Sequence, residues 1–491
     1  MRLINLISSI DVLRFEGNKH QEIAGIAFNS KQIKPGYLFV CIVGLKTDGH
    51  LFIEEAVARG AGAIIVEKWE PCLSPGVTQI LVSNSRSALA AVSNIFFDYP
   101  TSELRVIGVT GTNGKTTTSR FIESILSEAG MKTGLLGTIE CRIGNEQLPI
   151  ERTTPESYDL QAIFHRMVEK SAEAAVMEVS SHAVDLHRID GCRFDALVFT
   201  NLSQDHLDYH GTLENYFEAK KRLFMDNAGG ECRFVINIDD AFGQRIAGIS
   251  NPENHYFGLS EMVDVRASDI VLESKKSHFR INSPAGCQEI DLKLLGLFNV
   301  YNALAAAALG FAFKVPPELV KRGLEAVENV PGRFEIVDCG QNFSVIVDYA
   351  HTPDGLEKLL SSARDITRGK LVTVFGCGGD RDRLKRPLMG EVVGNLSDYS
   401  IITSDNPRSE DPNRILSEIE RGLKKVTRNY CLEVDRKRAI YKGISLAGEN
   451  DCVIIAGKGH EAGQEFKDKT VPFDDRQVAR AALKELTTCS Q

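Results

Sequence analysis

A strand that runs into Val109-Thr-Gly-Thr-Asn-Gly-Lys-Thr-Thr117 and then into a helix carries the most explicit chemistry of this chain. At such a turn, backbone N–H groups and the positive end of the helix dipole face outward together, an arrangement that cradles phosphate oxygens. Gly111, Thr112, Asn113, Gly114, Lys115, Thr116 and Thr117 are therefore candidate phosphate-binding residues. Lys115 would reach the terminal phosphates of a nucleotide and Thr116 would help hold Mg²⁺. A strict GxxxxGK[ST] pattern needs Gly at position 109, where Val109 stands, so only its Gly114-Lys115-Thr116 core is kept. The plain alternative is a glycine-rich structural turn.

Two more clusters follow strands. Met177-Glu-Val-Ser-Ser-His182 offers a carboxylate at Glu178, and Asn201-Leu-Ser-Gln-Asp-His-Leu-Asp-Tyr-His210 offers an imidazole at His206. Both suit Mg²⁺ held between a nucleotide and a second substrate, although either residue alone reads as structural. Near the C-terminus, Thr403-Ser-Asp-Asn-Pro-Arg-Ser-Glu-Asp-Pro412 follows one strand and Ala456-Gly-Lys-Gly-His-Glu461 another. Arg408 presents a planar fork to a carboxylate and Glu461 an acceptor to an ammonium, the two polar ends of an amino acid. Taken singly, Asn406-Pro407 is a good turn and Gly457-Lys-Gly459 a flexible loop.

The elements that position these residues follow from the apolar pattern. Residues 1–101 contain short apolar runs at Gly36–Gly44 and Gly62–Glu67 around a helical pattern at Phe52–Arg59, a small α/β unit. Pro100 and small polar residues break the pattern before the next strand, Leu104–Val109. From 102 to 331, buried strands at Ala174–Val179, Ala196–Thr200 and Arg233–Asn237 alternate with amphipathic segments, and an Ala-rich helix covers Asn302–Phe311. This predicts a mostly parallel sheet covered by helices. After Val330-Pro-Gly-Arg333, strands at Ser344–Asp348, Leu371–Gly376, Tyr399–Ser404 and Cys452–Gly457 predict a second doubly wound unit over 332–491. The expected fold is thus α/β in three domains, with ligands outside the carboxyl ends of the strands.

Thr110-Gly-Thr-Asn-Gly-Lys-Thr-Thr117 resembles the ATP loop of the Mur ligase and folylpolyglutamate synthetase superfamily, whose members join a carboxylate to an amine through an acyl phosphate. The resemblance extends over essentially the whole chain. It implies a central P-loop ATPase domain flanked by a uridine-substrate domain and a Rossmann-like amino-acid domain. It gives Glu178 and His206 to the metal. It also gives Lys220, in Tyr216-Phe-Glu-Ala-Lys-Lys-Arg-Leu-Phe224, to a CO₂-derived carbamate that helps hold a second Mg²⁺; the helix pattern alone makes Lys220 a surface charge. Asn299 and Asn302, which by themselves could cap a helix, are placed by ATP, as are Arg333 and Asp348 across a domain junction, and a site so divided implies closure before chemistry.

In the first domain, Phe28-Asn-Ser-Lys31 resembles the family's uridine-binding pattern, with Asn29 and Lys31 where Asp and Arg are usual and Ser30 kept. Thr153, Thr154, Ser180 and Arg188 match contacts to a UDP-linked muramoyl dipeptide, with Leu186 where many relatives have Gln. Asp405, Asn406, Pro407 and Arg408 resemble the diaminopimelate signature of one branch, which adds Arg381, Gly457 and Glu461 as contacts to the amino acid. Diaminopimelate differs from lysine by one carboxylate, so a buried Arg408 left unpaired would disfavour lysine by several kcal/mol. The resemblance thus implies an ATP-dependent ligase that adds meso-diaminopimelate to UDP-N-acetylmuramoyl-L-alanyl-D-glutamate. A lysine-adding or folate-extending ligase is the rival within the class, and a nucleotide-binding switch the rival outside it.

Composition excludes other classes. The net charge is −9, from 57 basic and 66 acidic residues without a long basic run, so there is no electrostatic footprint for nucleic acid. No apolar stretch reaches the roughly 18–20 residues that span a bilayer, and no leader pattern is visible, so a cytosolic chain is expected; a monomer is expected only alongside the family resemblance. The 11 cysteines are scattered without CxxC pairs and read as reduced, mostly buried thiols.

Overall fold

The computed structural model describes all residues except 45, 46, 72, 74, 75, 150, 151, 274, 275, 490 and 491. The chain forms two compact units, one from residues 1–110, 130–197 and 219–232, the other from 111–129, 198–218 and 233–491. Both are mixed α/β with parallel-rich sheets.

The first unit opens with a five-stranded sheet in the order Val12–Glu16, Thr78–Val82, Ala61–Val66, Tyr37–Val40, Gly25–Ala27. All its pairings are parallel except that of Val12–Glu16, which runs antiparallel along one edge. Leu38, Val40, Ala63, Ile65 and Ile80 point to one face and pack under Leu89 and Val92 of the helix Ser85–Phe96. Asn84 starts that helix, its side chain accepting from the N–H groups of Arg86 and Ser87. The helical pattern at Phe52–Arg59 splits into a 3₁₀ turn, Gly49–Phe52, and the short helix Ile53–Ala58. In the same unit, Arg105–Thr110, Ala174–Glu178 and Thr133–Leu136 lie side by side in parallel. They are buried along nearly their whole length, as strands covered on both faces must be. Cys141–Ile143 and Glu146–Leu148 extend this sheet antiparallel.

The second unit holds the helix Lys115–Glu128 and the Ala-rich helix, which runs over Leu297–Ala312 and so begins a turn and a half before the apolar run suggested. Arg233–Asn237 and Asn254–Gly258 pair in parallel. Beyond them, Val265–Leu272, Ser277–Ser283 and Gly286–Leu292 form an antiparallel meander that an expectation of mostly parallel strands did not contain. The C-terminal sheet has the order Glu335–Ile336, Ser344–Asp348, Cys452–Ala456, Leu371–Phe375, Tyr399–Ile402, Tyr430–Leu432. Only its first pairing is antiparallel. Ile346, Phe375, Ile402 and Ile454 pack on one face, and Val345, Val374, Ile401 and Val453 on the other. Because the strands are parallel, the loops starting at Tyr349, Gly376, Thr403 and Gly457 all leave from one edge of the sheet.

Candidate active site

In the second unit, the phosphate loop is built so that only glycine fits at two places. Gly111 has φ +146°, and a Cβ there would lie 2.0 Å from Thr200 Oγ1. Gly114, at φ +85°, would place a Cβ 2.3 Å from Asn302 Oδ1. Gly114 precedes the first turn of Lys115–Glu128, so the helix N-terminus opens directly onto the loop. Lys115 Nζ donates to the carbonyls of Gly111 (2.9 Å) and Thr112 (2.8 Å), arching over the loop. Asn113 is tied down by Thr200 Oγ1, which donates to its carbonyl at 2.7 Å, and by Asp354, which accepts from its amide at 2.8 Å. Thr116 and Thr117 are buried.

Asn302 donates to Asn299 Oδ1 at 3.0 Å and accepts from Thr118 at 3.3 Å, so the asparagine pair buttresses the loop from the Ala-rich helix. Arg333 reaches Thr116 Oγ1 at 3.4 Å and lies over the Tyr349 ring, 4.5 Å from its centroid, while its buried Nε has no hydrogen-bond partner. Asp348 accepts from the N–H groups of Phe334 (2.6 Å) and Ala350 (2.7 Å), and burial raises its pKa against the lowering effect of Arg333. His206 stands in the left-handed region at φ +54°, its ring edge-on to Tyr216. Its neighbour Asp205 is buried, which would raise its pKa. The imidazoles of His206 and His351 and the ammonium of Lys385 hold that carboxyl far below the usual range instead. Asp205, Asp354 and Lys385 were not singled out from sequence; Asp354 meets Asn113 and Ser203, and Lys385 acts on Asp205, across long stretches of chain.

The two loops expected to hold an amino acid are brought together in this unit. Asn406 donates to Glu461 Oε2 at 2.8 Å, and the fully buried Lys458 donates to both Asn406 Oδ1 (2.8 Å) and Glu461 Oε2 (2.7 Å). Gln464 donates to the Asp405 carbonyl at 2.7 Å. Gly457, at φ +118°, would put a Cβ 2.4 Å from Asp405 Oδ2. Pro407 is buried, whereas Arg381 is exposed on the neighbouring loop. Arg386, with no exposed side-chain surface, anchors that loop by donating to Glu410, Glu418 and the Gly378 carbonyl. Arg408 is neither fully buried nor unpaired. Its side chain is 24% exposed and its Nε donates to Glu465 Oε2 at 2.7 Å, so the penalty expected for leaving it unpaired against lysine is reduced.

The first unit gathers a second set. Glu178, 1% exposed, accepts at both oxygens from Thr138, through its N–H at 2.8 Å and its hydroxyl at 3.0 Å. Thr138 Oγ1 lies 3.0 Å from Thr153 Oγ1, and Thr154 donates to the Glu178 carbonyl at 2.9 Å and meets Ser180 Oγ at 3.3 Å. Arg188 donates to the Thr154 carbonyl at 3.1 Å and pairs with Glu156 at 3.0 Å. Burial, with Arg152 and Arg86 close by, lowers its pKa. Lys220 is 1% exposed, not the surface charge its helix pattern alone suggests, and its Nζ lies 3.3 Å from Thr110 Oγ1. Farther along, Ser30 donates to Glu55 at 2.7 Å, and Asn29 accepts from Lys31 N–H at 3.1 Å, the turn-closing role an Asp would fill.

Among the described residues no group of three or more His, Cys, Asp or Glu side chains could by itself hold a metal ion. Among the described cysteine side chains none forms a disulfide.

Three family models match the chain: the Mur ligase family catalytic domain over residues 22–97, the Mur ligase middle domain over 109–310, and the Mur ligase glutamate ligase domain over 332–459. A UDP-N-acetylmuramoyl-L-alanyl-D-glutamate–2,6-diaminopimelate ligase of Syntrophomonas wolfei is 45% identical over 488 residues, with 99% of each chain covered. The ligase of the same name from Geobacillus kaustophilus is 46% identical over 490 residues, covering 99% of this chain and 100% of the relative. A solved structure of a ligase of that name is 32% identical, with a TM-score of 0.68 and 99% of each chain covered. The MurF ligase of Thermotoga maritima in complex with ADP, 20% identical with a TM-score of 0.64 over 94% of this chain and 96% of that one, shares the fold.

Proposed function

The chain belongs to the Mur ligase family, and we propose that it is the ATP-dependent ligase that adds meso-2,6-diaminopimelate to the D-Glu carboxylate of UDP-N-acetylmuramoyl-L-alanyl-D-glutamate in peptidoglycan synthesis. The observation that carries this reading is the joining of Asp405–Arg408 to Gly457–Glu461 through Lys458, at the edge where a parallel sheet binds ligands. An arginine and a carboxylate stand there together, matched to the two polar ends of an amino acid.

In this reading residues 1–101 hold the UDP-muramoyl substrate with Ser30, residues 102–331 hold ATP, and residues 332–491 hold the amino acid. An oxygen of the D-Glu carboxylate attacks the γ-phosphorus of ATP, releasing ADP and leaving an acyl phosphate. Lys115 and the N–H groups of Gly111–Thr117 neutralise charge that builds on the phosphate oxygens. Asn299, Asn302, Arg333 and Asp348 hold the nucleotide. Thr153, Thr154, Ser180 and Arg188 hold the dipeptide, the guanidinium of Arg188 taking a carboxylate. The amine of diaminopimelate, oriented by Arg381, Asp405, Asn406, Pro407, Arg408, Gly457 and Glu461, then attacks the acyl carbon. The amide forms as phosphate leaves with the former carboxylate oxygen, and the amine gives up a proton.

Mg²⁺ fits the donor set. In this reading Thr116 and Glu178 are given as hard oxygen donors and His206 as an imidazole, and the cation would take its other ligands from phosphate and water, as Mg²⁺ prefers. When bound it neutralises phosphate charge. Lys220 is the residue this reading gives to a CO₂-derived carbamate; it is buried, with its Nζ 3.3 Å from Thr110 Oγ1. The enzyme is read as a cytoplasmic monomer that acts on small molecules alone.

Lys115→Ala tests the assignment of the phosphate loop. Amine-dependent ADP release should vanish; turnover retained within tenfold of the parent would contradict it.

A further inference from the structure

Glu465 lies on the strand Gly463–Glu465, which pairs antiparallel with Thr470–Pro472 just beyond the second acceptor loop. Its Oε2 accepts from Arg408 Nε at 2.7 Å, and its carbonyl accepts from the Arg408 N–H at 3.0 Å. Its own N–H donates to Asn406 Oδ1 at 3.0 Å. Arg408 Nη1 is meanwhile held by the Gly379 carbonyl at 2.8 Å. The hairpin therefore sets a protein carboxylate on the guanidinium that the ligase reading gives to the carboxylate of the incoming amino acid.

Exposure decides how firmly it sits there. The side chains of Arg408 and Glu465 are 24% and 49% exposed, so Glu465 can turn into water without the penalty of breaking a buried pair. A diamino acid with a carboxylate at each end exchanges one carboxylate for another on Arg408. Lysine has none at its far end, so it leaves the pair intact and strands no cation.

We propose that Glu465 is a specificity-determining residue, a competing carboxylate that exchanges with the distal carboxylate of the diamino acid at Arg408. The proposal rests on the ligase reading above. Glu465 weakens acceptor binding by the worth of an exposed pair, and it lowers the discrimination against lysine that Arg408 alone would impose.

Steady-state kinetics of the full chain, with ATP, Mg²⁺ and the UDP-muramoyl dipeptide saturating, test it in Glu465→Ala and the shape-keeping Glu465→Gln. The KM for meso-diaminopimelate should fall about threefold in Glu465→Ala and in the same direction in Glu465→Gln. Any lysine-dependent rate should stay level or fall. A merely structural hairpin residue would raise the KM on removal. A KM in Glu465→Ala that is unchanged or higher, or a lysine rate that rises, overturns the proposal. A parent protein without diaminopimelate-dependent phosphate release would instead remove the ligase reading, and this inference with it.

Discussion

His460 shows how a single residue ties the acceptor loop to the pH range in which the protein is stable. Its ring lies tilted against that of Tyr349, centroids 5.2 Å apart, and its Nδ1 is buried without a hydrogen-bond partner. Burial first, then the positive charges of Arg333 and Arg476, push its pKa from 6.5 down to about 4. Between those values the unfolded chain binds a proton that the folded chain refuses. The folded state is therefore at full advantage above pH 6.5 and loses it as pH falls towards 4, a loss of at most about 3 kcal/mol. Thermal melts should show this slope below pH 6.5, where His351 and His255, also lowered by burial, add to it, and His460→Asn should reduce it; a variant with the parent's slope would assign the acid sensitivity elsewhere. At this scale sequence reading was uneven. Lys115 and Arg408 stand out by motif, whereas Glu178 stands out only through the family resemblance. Lys458 sits inside Ala456-Gly-Lys-Gly-His-Glu461 yet reads as loop filler until Asn406, 52 positions away, is seen to accept from it.

Elements, more than single side chains, make the acceptor site. Gly457 lets its loop pass Asp405 at a φ that side chains resist. Gly457→Ala should raise the KM for diaminopimelate about tenfold, the cost of one residue forced into a left-handed conformation, while leaving ATP affinity in place; isothermal titration with a non-hydrolysable ATP analogue separates the two. Arg386 does the corresponding work for the Cys377–Asp382 loop, buried between Glu410 and Glu418. Arg386→Leu removes the buried cation from Glu410 and one of the three arginines around Glu418, which keeps Arg383 and Arg414, and should cost about 3 kcal/mol in chemical denaturation. A loss below about 1 kcal/mol would mean that the cluster is a solvated surface network.

The buried parallel strands were legible because they are short, continuous apolar runs; Arg233–Asn237 and Ser344–Asp348 fall where the pattern puts them. The meander Val265–Leu272, Ser277–Ser283, Gly286–Leu292 was not. Its strands bury only alternate residues, such as Val265 and Ala267, or Phe279 and Ile281, and interleave them with charges. The period-2 signal was present in Ser277–Ser283 but diluted by its polar face.

For the whole molecule, the candidate residues divide between the two compact units. Glu178, Lys220 and the dipeptide contacts belong to one; the phosphate loop, His206 and the amino-acid loops belong to the other. No single local pattern could have revealed such a set. What made it readable was order along the chain, since each motif occurs once and in the family's sequence. No described helix is long and apolar enough to cross a membrane, and the modest acidity of the chain, −9 over 491 residues, offers nothing to a polyanion.

The most direct test is phosphate release by the full chain with ATP, Mg²⁺ and UDP-N-acetylmuramoyl-L-alanyl-D-glutamate, comparing meso-diaminopimelate with L-lysine as the acceptor. Release that depends on diaminopimelate and is far weaker with lysine is the predicted result. Equal use of lysine would contradict the assigned acceptor, and release that ignores both amines would contradict the ligase itself.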